Sequence, residues 1–549
     1  MTKAWKRYQE GLNFMRTDGL IDRVQQNERF IAGDQWYGIK SRDLPKPVLN
    51  IIKRIVNFKV SSVMSEEVKM NFSVQGYSAG VDSENAEKYE EAADLFTRYS
   101  DATWENIKQT PLSEQILKDA ATSGAGIIHY FWDNTIKTGN DVKAIGELVG
   151  EIIDCVNYFP SNPNDNRIQS QPSIIISYRE LVSKLKEEAS NNEVSKELID
   201  LIQGDKDTND EAFEKAKDEL GDKTTVLLEY SKRDGEVFYS KSTQNVEIVP
   251  ETSTGLSLYP LVLMNWETRK RSCYGVAEVT ELIPNQTFIN KTLAMWMLSA
   301  QRTAFPKAIY DKTRIKSISN AIGHAIGVHG DISNVFKYAE TGSTNYDVFK
   351  LIEFVMDSTK EVSGANENAM GEAKADNQGA LMLQQQASAV PIESIKRRYF
   401  QALEDIGLIW ADFWKAKYNT ERLINVSDED GNQETLWFLG EDYKDVKLNL
   451  KLDIGPSTHW SEAVTVNMIG NWLQTGMIDL TEALEMLPNN VIPNKQRLIE
   501  KRKQADIEKQ VLYKCMTEFV DSLPPEEKEE IEKLKPDEME QKILSMMSN

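Results

Sequence analysis

Residues 276–418 carry the pattern that most restricts the fold: a helix, a glycine-containing insert, a second helix, a stretch without core-forming side chains, and one very long helix. Val276, Val279, Leu282, Ile283, Gln286, Ile289, Leu293 and Met297 recur at helical spacing and predict a helix over 276–305. Pro284 removes a backbone donor and should kink or restart that helix after two turns, and Pro306 ends it. The insert to residue 347 contains Gly323, Gly327, Gly330 and Gly342 and is β-prone at 308–310 and 327–329. Val348, Ile352, Phe354, Val355 and Val362 then predict a returning helix. Residues 364–379 hold a single large apolar side chain, Met370, so core burial cannot fix them and they are expected to be a mobile loop. The last helix, 380–418, is about 39 residues long at about 1.5 Å per residue, and Pro391 should bend it.

Mixed helix and strand patterns flank this block, so the fold class expected is α+β. Apolar residues at helical spacing from Trp5 to Phe30 predict a helix that ends in the turn of Gly33, Trp36, Tyr37 and Gly38. A second amphipathic stretch, residues 50–64, leads to a strand at 71–74. Helical residues 83–123 precede a strand at 127–132 that closes in a turn at Asp133 and Asn134. Short strands are expected at 150–156 and 173–178, and charged helices at 179–204 and 210–220. Asp234-Gly235 marks a hairpin between strands 226–230 and 236–239. Residues 421–453 return to strands around a turn at 430–432, and 461–549 are helical, with Ser522 starting the last helix.

A chain of 549 residues with 40% hydrophobic content has material for three or four domain-sized units. No apolar run reaches the roughly 18 residues of a membrane span, and the first residues show no signal-peptide pattern, so neither secretion nor insertion is expected. Cys155, Cys273 and Cys515 lie far apart, without metal spacing, and read as reduced buried thiols. The net charge of −22 argues against a protein that grips nucleic acid over a broad surface.

The usual catalytic signatures are missing. No phosphate-binding GxxxxGK[ST] loop appears, nor HExxH, GxSxG or GxGxxG in a strand-turn-helix setting. His324 and His329 lack a Cys, Asp or Glu at ligand spacing between them. Gly431 directly after Asp430 breaks the spacing by which Asp428, Asp430 and Glu434 would hold calcium. Trp410, Phe413 and Trp414 follow the apolar spacing of Leu403, Ile406 and Ile409 and read as helix packing, not as a base-stacking platform. No catalytic residue, cofactor or metal is assigned.

An ordered series of loose motifs remains. Gly33, Gln35 and Trp36 form a G-x-Q-W turn, followed by Pro45, Pro47 and the helix opened by Asn50-Ile51-Ile52. Tyr259-Pro260 and Tyr274-Gly275-Val276 lead into Leu282-Ile283-Pro284-Asn285-Gln286 and Asn290, and Gly476, Leu487-Pro488 and Ile492-Pro493 mark the end of the chain. This series resembles the portal proteins of tailed double-stranded DNA bacteriophages, the head-to-tail connectors, over most of the chain. The resemblance implies a ring-forming structural protein, not an enzyme. It places a helical part of the wing at 1–70, the α+β wing at 71–275, stem helices at 276–305 and 348–363, and the clip at 306–347. The tunnel loop follows at 364–379, the long spine helix at 380–418, wing return strands at 419–460 and a helical crown at 461–549.

It further implies a homo-oligomer of twelve at one capsid vertex, assembled in the host cytoplasm, with double-stranded DNA passing through its channel. Terminase docks at the clip and a head-completion adaptor afterwards, beside major capsid and scaffolding proteins, with no membrane. Asn366, Glu367, Asn368, Glu372, Lys374, Asp376 and Asn377 would be the tunnel-loop residues nearest DNA. Lys291, Arg302, Lys307, Lys312, Arg314 and Lys316 cluster towards the clip, where they would touch DNA or an acidic partner, unless they are a solvated face. An acidic wall suits a conduit, because weak repulsion of phosphate lets DNA slide. Two other readings fit the residues: a virion structural or scaffolding protein without a channel, and a hydrolase built on the segment before residue 270.

Overall fold

The computed structural model describes residues 1–41, 44–66, 68–74, 83–138, 144–205, 222–304, 308–315, 327–333, 335–338, 347–365, 378–419, 422–427, 433–444, 446–454, 459–487, 498–499, 501–502 and 514. Two compact units emerge. The first is Met1–Asp428 with Gln433–Asp453; the second is Glu429–Asn432 with Ile454–Asn549.

The first unit is α+β. It opens with α1 (Lys3–Asp18) and α2 (Leu20–Ala32), where the sequence predicted one helix. Gly19 divides them: its φ of 67° places it in the left-handed region, where it caps the first helix and starts the second. Asn50 caps α3 (Ile51–Val63), its side chain accepting from the Lys53 N–H. β1 (Val68–Val74), α4 (Ser83–Ile107) and α5 (Gln109–Ser123) follow.

β2 (Ala125–Thr138) pairs antiparallel with β3 (Ala144–Ile153). Contrary to the predicted turn at Asp133 and Asn134, the strand runs through both residues. The Asp133 carboxylate accepts from the Thr135 N–H and hydroxyl, and the register shifts beyond Asp133, so the local turn chemistry becomes an irregularity in a continuing ladder. The strand expected at 150–156 lies earlier in the chain. It stops at Asp154, whose carboxylate caps the single 3₁₀ turn of Cys155–Asn157.

β4 (Tyr158–Pro160), β5 (Ser173–Leu181), β6 (Lys223–Arg233), β7 (Glu236–Ser242) and β8 (Glu247–Ser253) form a five-stranded meander in that order. Asp234 and Gly235 both take positive φ and turn β6 into β7, as the sequence predicted. Strand β5 extends to Leu181, so the first charged helix, α6 (Val182–Asn191), begins three residues after the predicted start, and α7 (Lys196–Ile199) is one turn. The helix expected at 210–220 lies outside the described residues. β9 (Leu261–Asn265) completes the sheet β3-β2-β9.

The long-helix block is present: α8 (Glu278–Ala304), β10 (Ala308–Tyr310), β11 (Phe336–Tyr338), α9 (Asp347–Val362) and α10 (Gln378–Lys417). Within the insert β10 pairs with β11, not with the β-prone residues 327–329, which form no strand. β12 (Arg422–Ser427) pairs with β13 (Gln433–Phe438), and the expected turn between them lies outside the described residues. β14 (Leu448–Ile454) returns to β1, a pairing across most of the chain.

A large core runs through this unit, and Leu185, Ala189, Ile202, Val226, Val246 and Ile248 form a smaller, separate one. Buried Ile392, Ile395, Tyr399, Leu403, Ile406, Trp410, Phe413 and Trp414 form one apolar face of α10, which meets Phe96, Tyr99 and Phe72. The indoles of Trp410 and Trp414 are fully buried, so the packing role predicted for them holds. Cys155 and Cys273 are likewise buried free thiols, while Cys515 lies outside the described residues. The second unit contributes α11 (His459–Gln474) and α12 (Leu480–Met486), the latter opened by a capping box between Asp479 and Glu482. The predicted start at Ser522 lies outside the described residues.

Candidate functional site

Helix α8 starts on a carboxylate held from two sides. Glu278 Oε1 accepts from the buried Lys59 ammonium at 2.6 Å, and its Oε2 from the Trp266 indole at 2.9 Å. With Glu281 it puts negative charge in the first turn, where the helix dipole favours it. Pro284 lies inside the helix, and a second set of polar side chains locks the turns around it. Gln286 accepts from the Ile51 N–H at 3.0 Å and donates to the Leu49 carbonyl at 2.6 Å and to Asn290 at 3.0 Å. Asn290 donates in turn to the Gln35 side chain at 2.5 Å. Gln35 and Asn50 both donate to the Phe30 carbonyl, and Trp36 donates to the Pro47 carbonyl. The turn motif near residue 35, the Asn50 helix start and the Gln286 segment, distant in sequence, are thus one partly buried polar latch. Sequence reasoning placed Gln286 on the apolar face; two amides at i, i+4 on such a face were the signal for this latch.

Beyond the latch α8 pairs with α9. Asn285 donates to the Thr359 hydroxyl at 3.1 Å, and the Trp296 and Phe349 rings meet at 4.4 Å in a T-shaped contact. Chain positions rise on one helix as they fall on the other, so the helices form an antiparallel hairpin. One flank of each is uncovered. Phe288 and Met295 on α8, and Leu351, Phe354 and Val362 on α9, are exposed, with Phe354 at 67% and Val362 at 87%. Exposed large apolar side chains thus repeat along both packed helices.

Just past α9, Gly364 takes a φ of 76°. A Cβ there would stand 2.7 Å from Pro391 Cβ, so the end of α9 sits directly against the proline inside α10. All seven predicted tunnel-loop residues, Asn366, Glu367, Asn368, Glu372, Lys374, Asp376 and Asn377, lie outside the described residues, as do Lys307 and Lys316. Arg302 lies on α8, with its side chain outside the described residues. Lys291 is exposed on α8, about 20 Å along the axis from its C-terminal end. Lys312 and Arg314 are exposed in one turn organised by Asp311, which accepts from Thr313 and pairs with Arg314 at 3.5 Å. Lys312 and Arg314 are therefore together, and Lys291 belongs to the helix shaft.

Elsewhere three carboxyls, Glu28, Asp119 and Asp154, influence one another beside Cys155. Burial, then the charges of Asp154 and Glu28, push Asp119 up to about 7, and burial raises the other two. Burial also drives the Cys155 thiol well above its ordinary value, which keeps it protonated and unreactive. The segment before residue 270 thus gains perturbed carboxyls without an activated nucleophile among the described residues. No described helix is long and apolar enough to cross a membrane.

A family model described as the phage P22-like portal protein matches residues 182–548, about two thirds of the chain, and takes in the whole helical hairpin and α10. No curated protein matches the chain.

Proposed function

Because the chain belongs to the phage P22-like portal protein family, and so has a structural role in the virion, we propose that it forms the ring-shaped conduit at one capsid vertex through which the genome is packaged and ejected. The observation that carries this reading is the uncovered apolar flank of the α8–α9 hairpin. In a ring of identical subunits each hairpin packs against the next, and Phe288, Met295, Leu351, Phe354 and Val362 are covered by the neighbour. The hairpin is the stem, residues 306–347 the clip, 364–379 the tunnel loop and α10 the spine. The remaining sheets and helices before 276 and at 419–460 build the wing, and 461–549 the crown. The ring has twelve subunits.

In this arrangement Asn366, Glu367, Asn368, Glu372, Lys374, Asp376 and Asn377 stand nearest DNA. The excess of acidic side chains disfavours lasting phosphate contacts, so the duplex slides. Lys312 and Arg314, with Lys307 and Lys316, present positive charge at the clip to terminase during packaging and to the head-completion adaptor later, while Lys291 and Arg302 line the stem. Scaffolding and major capsid proteins meet the outer surface. Deleting residues 365–375 tests the loop: intact rings with impaired packaging or DNA retention are expected, and normally filled heads would refute its role.

A further inference from the structure

A cavity of about 980 Å³ opens in the first unit, lined by strands of both larger sheets and by the C-terminal end of α10. Its size is that of a pocket for a small organic ligand, and nothing in the conduit role uses it. The walls are aromatic: Phe131, Trp132, Tyr178 and Tyr239 line it. One wall is braced rather than reactive, because His129 spends both ring nitrogens, Nδ1 on Glu151 at 2.8 Å and Nε2 on the Tyr230 hydroxyl at 2.8 Å.

Charge in the cavity is mostly settled internally. Glu180 is held by Lys184 and by Lys241 at 2.9 Å, and Lys241 also holds Glu188 at 2.6 Å. Asp154 faces the N–H of Val156, and burial favours its neutral form. Lys417 is different. It lies on the last turn of α10, partly buried, and has no hydrogen-bond or ion-pair partner among the described residues. Burial depresses its pKa, because an ammonium that has lost water favours its neutral form. Asn419 beside it offers amide hydrogen bonds at the same end of the cavity.

We propose that this cavity binds a small aromatic anion, a planar ring bearing one carboxylate, sulfonate or phosphate, with Lys417 as its counter-charge and the aromatic side chains as its walls. Stacking holds the ring without demanding one particular edge pattern, and the Lys417 ammonium, without a partner among the described residues, selects the charge.

Isothermal titration of the intact full-length chain with 2-naphthoate, thymidine 5′-monophosphate and the neutral 2-naphthamide tests this. At least one anion should bind at one per chain, with affinity falling as salt is raised, while the amide binds more weakly and without salt dependence. The tighter anion tells an aryl acid from a nucleotide. Lys417→Met should weaken anion binding roughly ten- to a hundredfold and leave the amide unchanged, whereas Lys417→Arg retains it. Failure of both anions to bind, salt-independent binding, or equal binding to the Lys417→Met variant would overturn the proposal.

Discussion

Lys59 and Glu278 show how much a single side chain can carry here. Both are nearly buried, and Glu278 also accepts from Trp266, so Lys59→Met strands a carboxylate in the core. Denaturant unfolding should show a loss of about 3–5 kcal/mol, most of it recovered in the Lys59→Met/Glu278→Gln pair. Gln286→Leu removes the side-chain acceptor of the Ile51 N–H, which keeps the Leu49 carbonyl at 2.9 Å, and the amide donor of that same carbonyl; it should cost about 1–3 kcal/mol, with faster amide exchange confined to residues 49–52. Asp119 makes a prediction in pH. Its folded pKa, about 7, lies above the ordinary 3.8, so its contribution is fully present below pH 3.8 and is lost as pH rises through 7. Asp119→Asn should therefore stabilise the protein above pH 7, by at most about 4 kcal/mol, and the gain should fade towards pH 4. A flat difference between variant and parent across that range would contradict the assignment. None of these partnerships was legible beforehand. Lys59 and Glu278 are separated by more than 200 residues, and spacing along one helix says nothing about which distant side chain faces it.

Among the elements, the helices of the long-helix block were the most legible, because sustained apolar periodicity bounded by Pro306 and Gly364 leaves few alternatives. Strand ends were the least. Asp133 and Asn134 have the chemistry of a turn, yet tertiary pairing with β3 carries β2 through them. The insert's second strand went to Phe336–Tyr338 over the glycine-rich 327–329 stretch, since a short strand is decided by its partner more than by its own propensity. Gly19 broke the first helix because only its left-handed backbone lets α2 turn away from α1. The candidate site was legible as an order of helices, and its polar latch only as unexplained amides on an apolar face. Gly364 is where the contact between the end of α9 and α10 can be tested. Gly364→Ala adds both positive-φ strain and contact with Pro391, whereas Gly33→Ala, at a φ of 91° with open space around it, adds strain alone. Thermal unfolding should show the former to be the more destabilising by about 1–3 kcal/mol.

At the scale of the whole molecule, the proposed ring accounts for the apolar surface that one subunit leaves on two packed helices, because copies of the chain would cover it. Phe354 is exposed in the single chain, so Phe354→Glu should leave its secondary structure and unfolding midpoint unchanged while blocking ring assembly. Electron microscopy of the purified full-length chain beside this variant tests the central claim most directly. Rings of uniform subunit number with an axial hole are expected for the parent chain, and dispersed, folded subunits for Phe354→Glu. Solid particles, sheets or monomers from the parent chain, or normal rings from the variant, would contradict it.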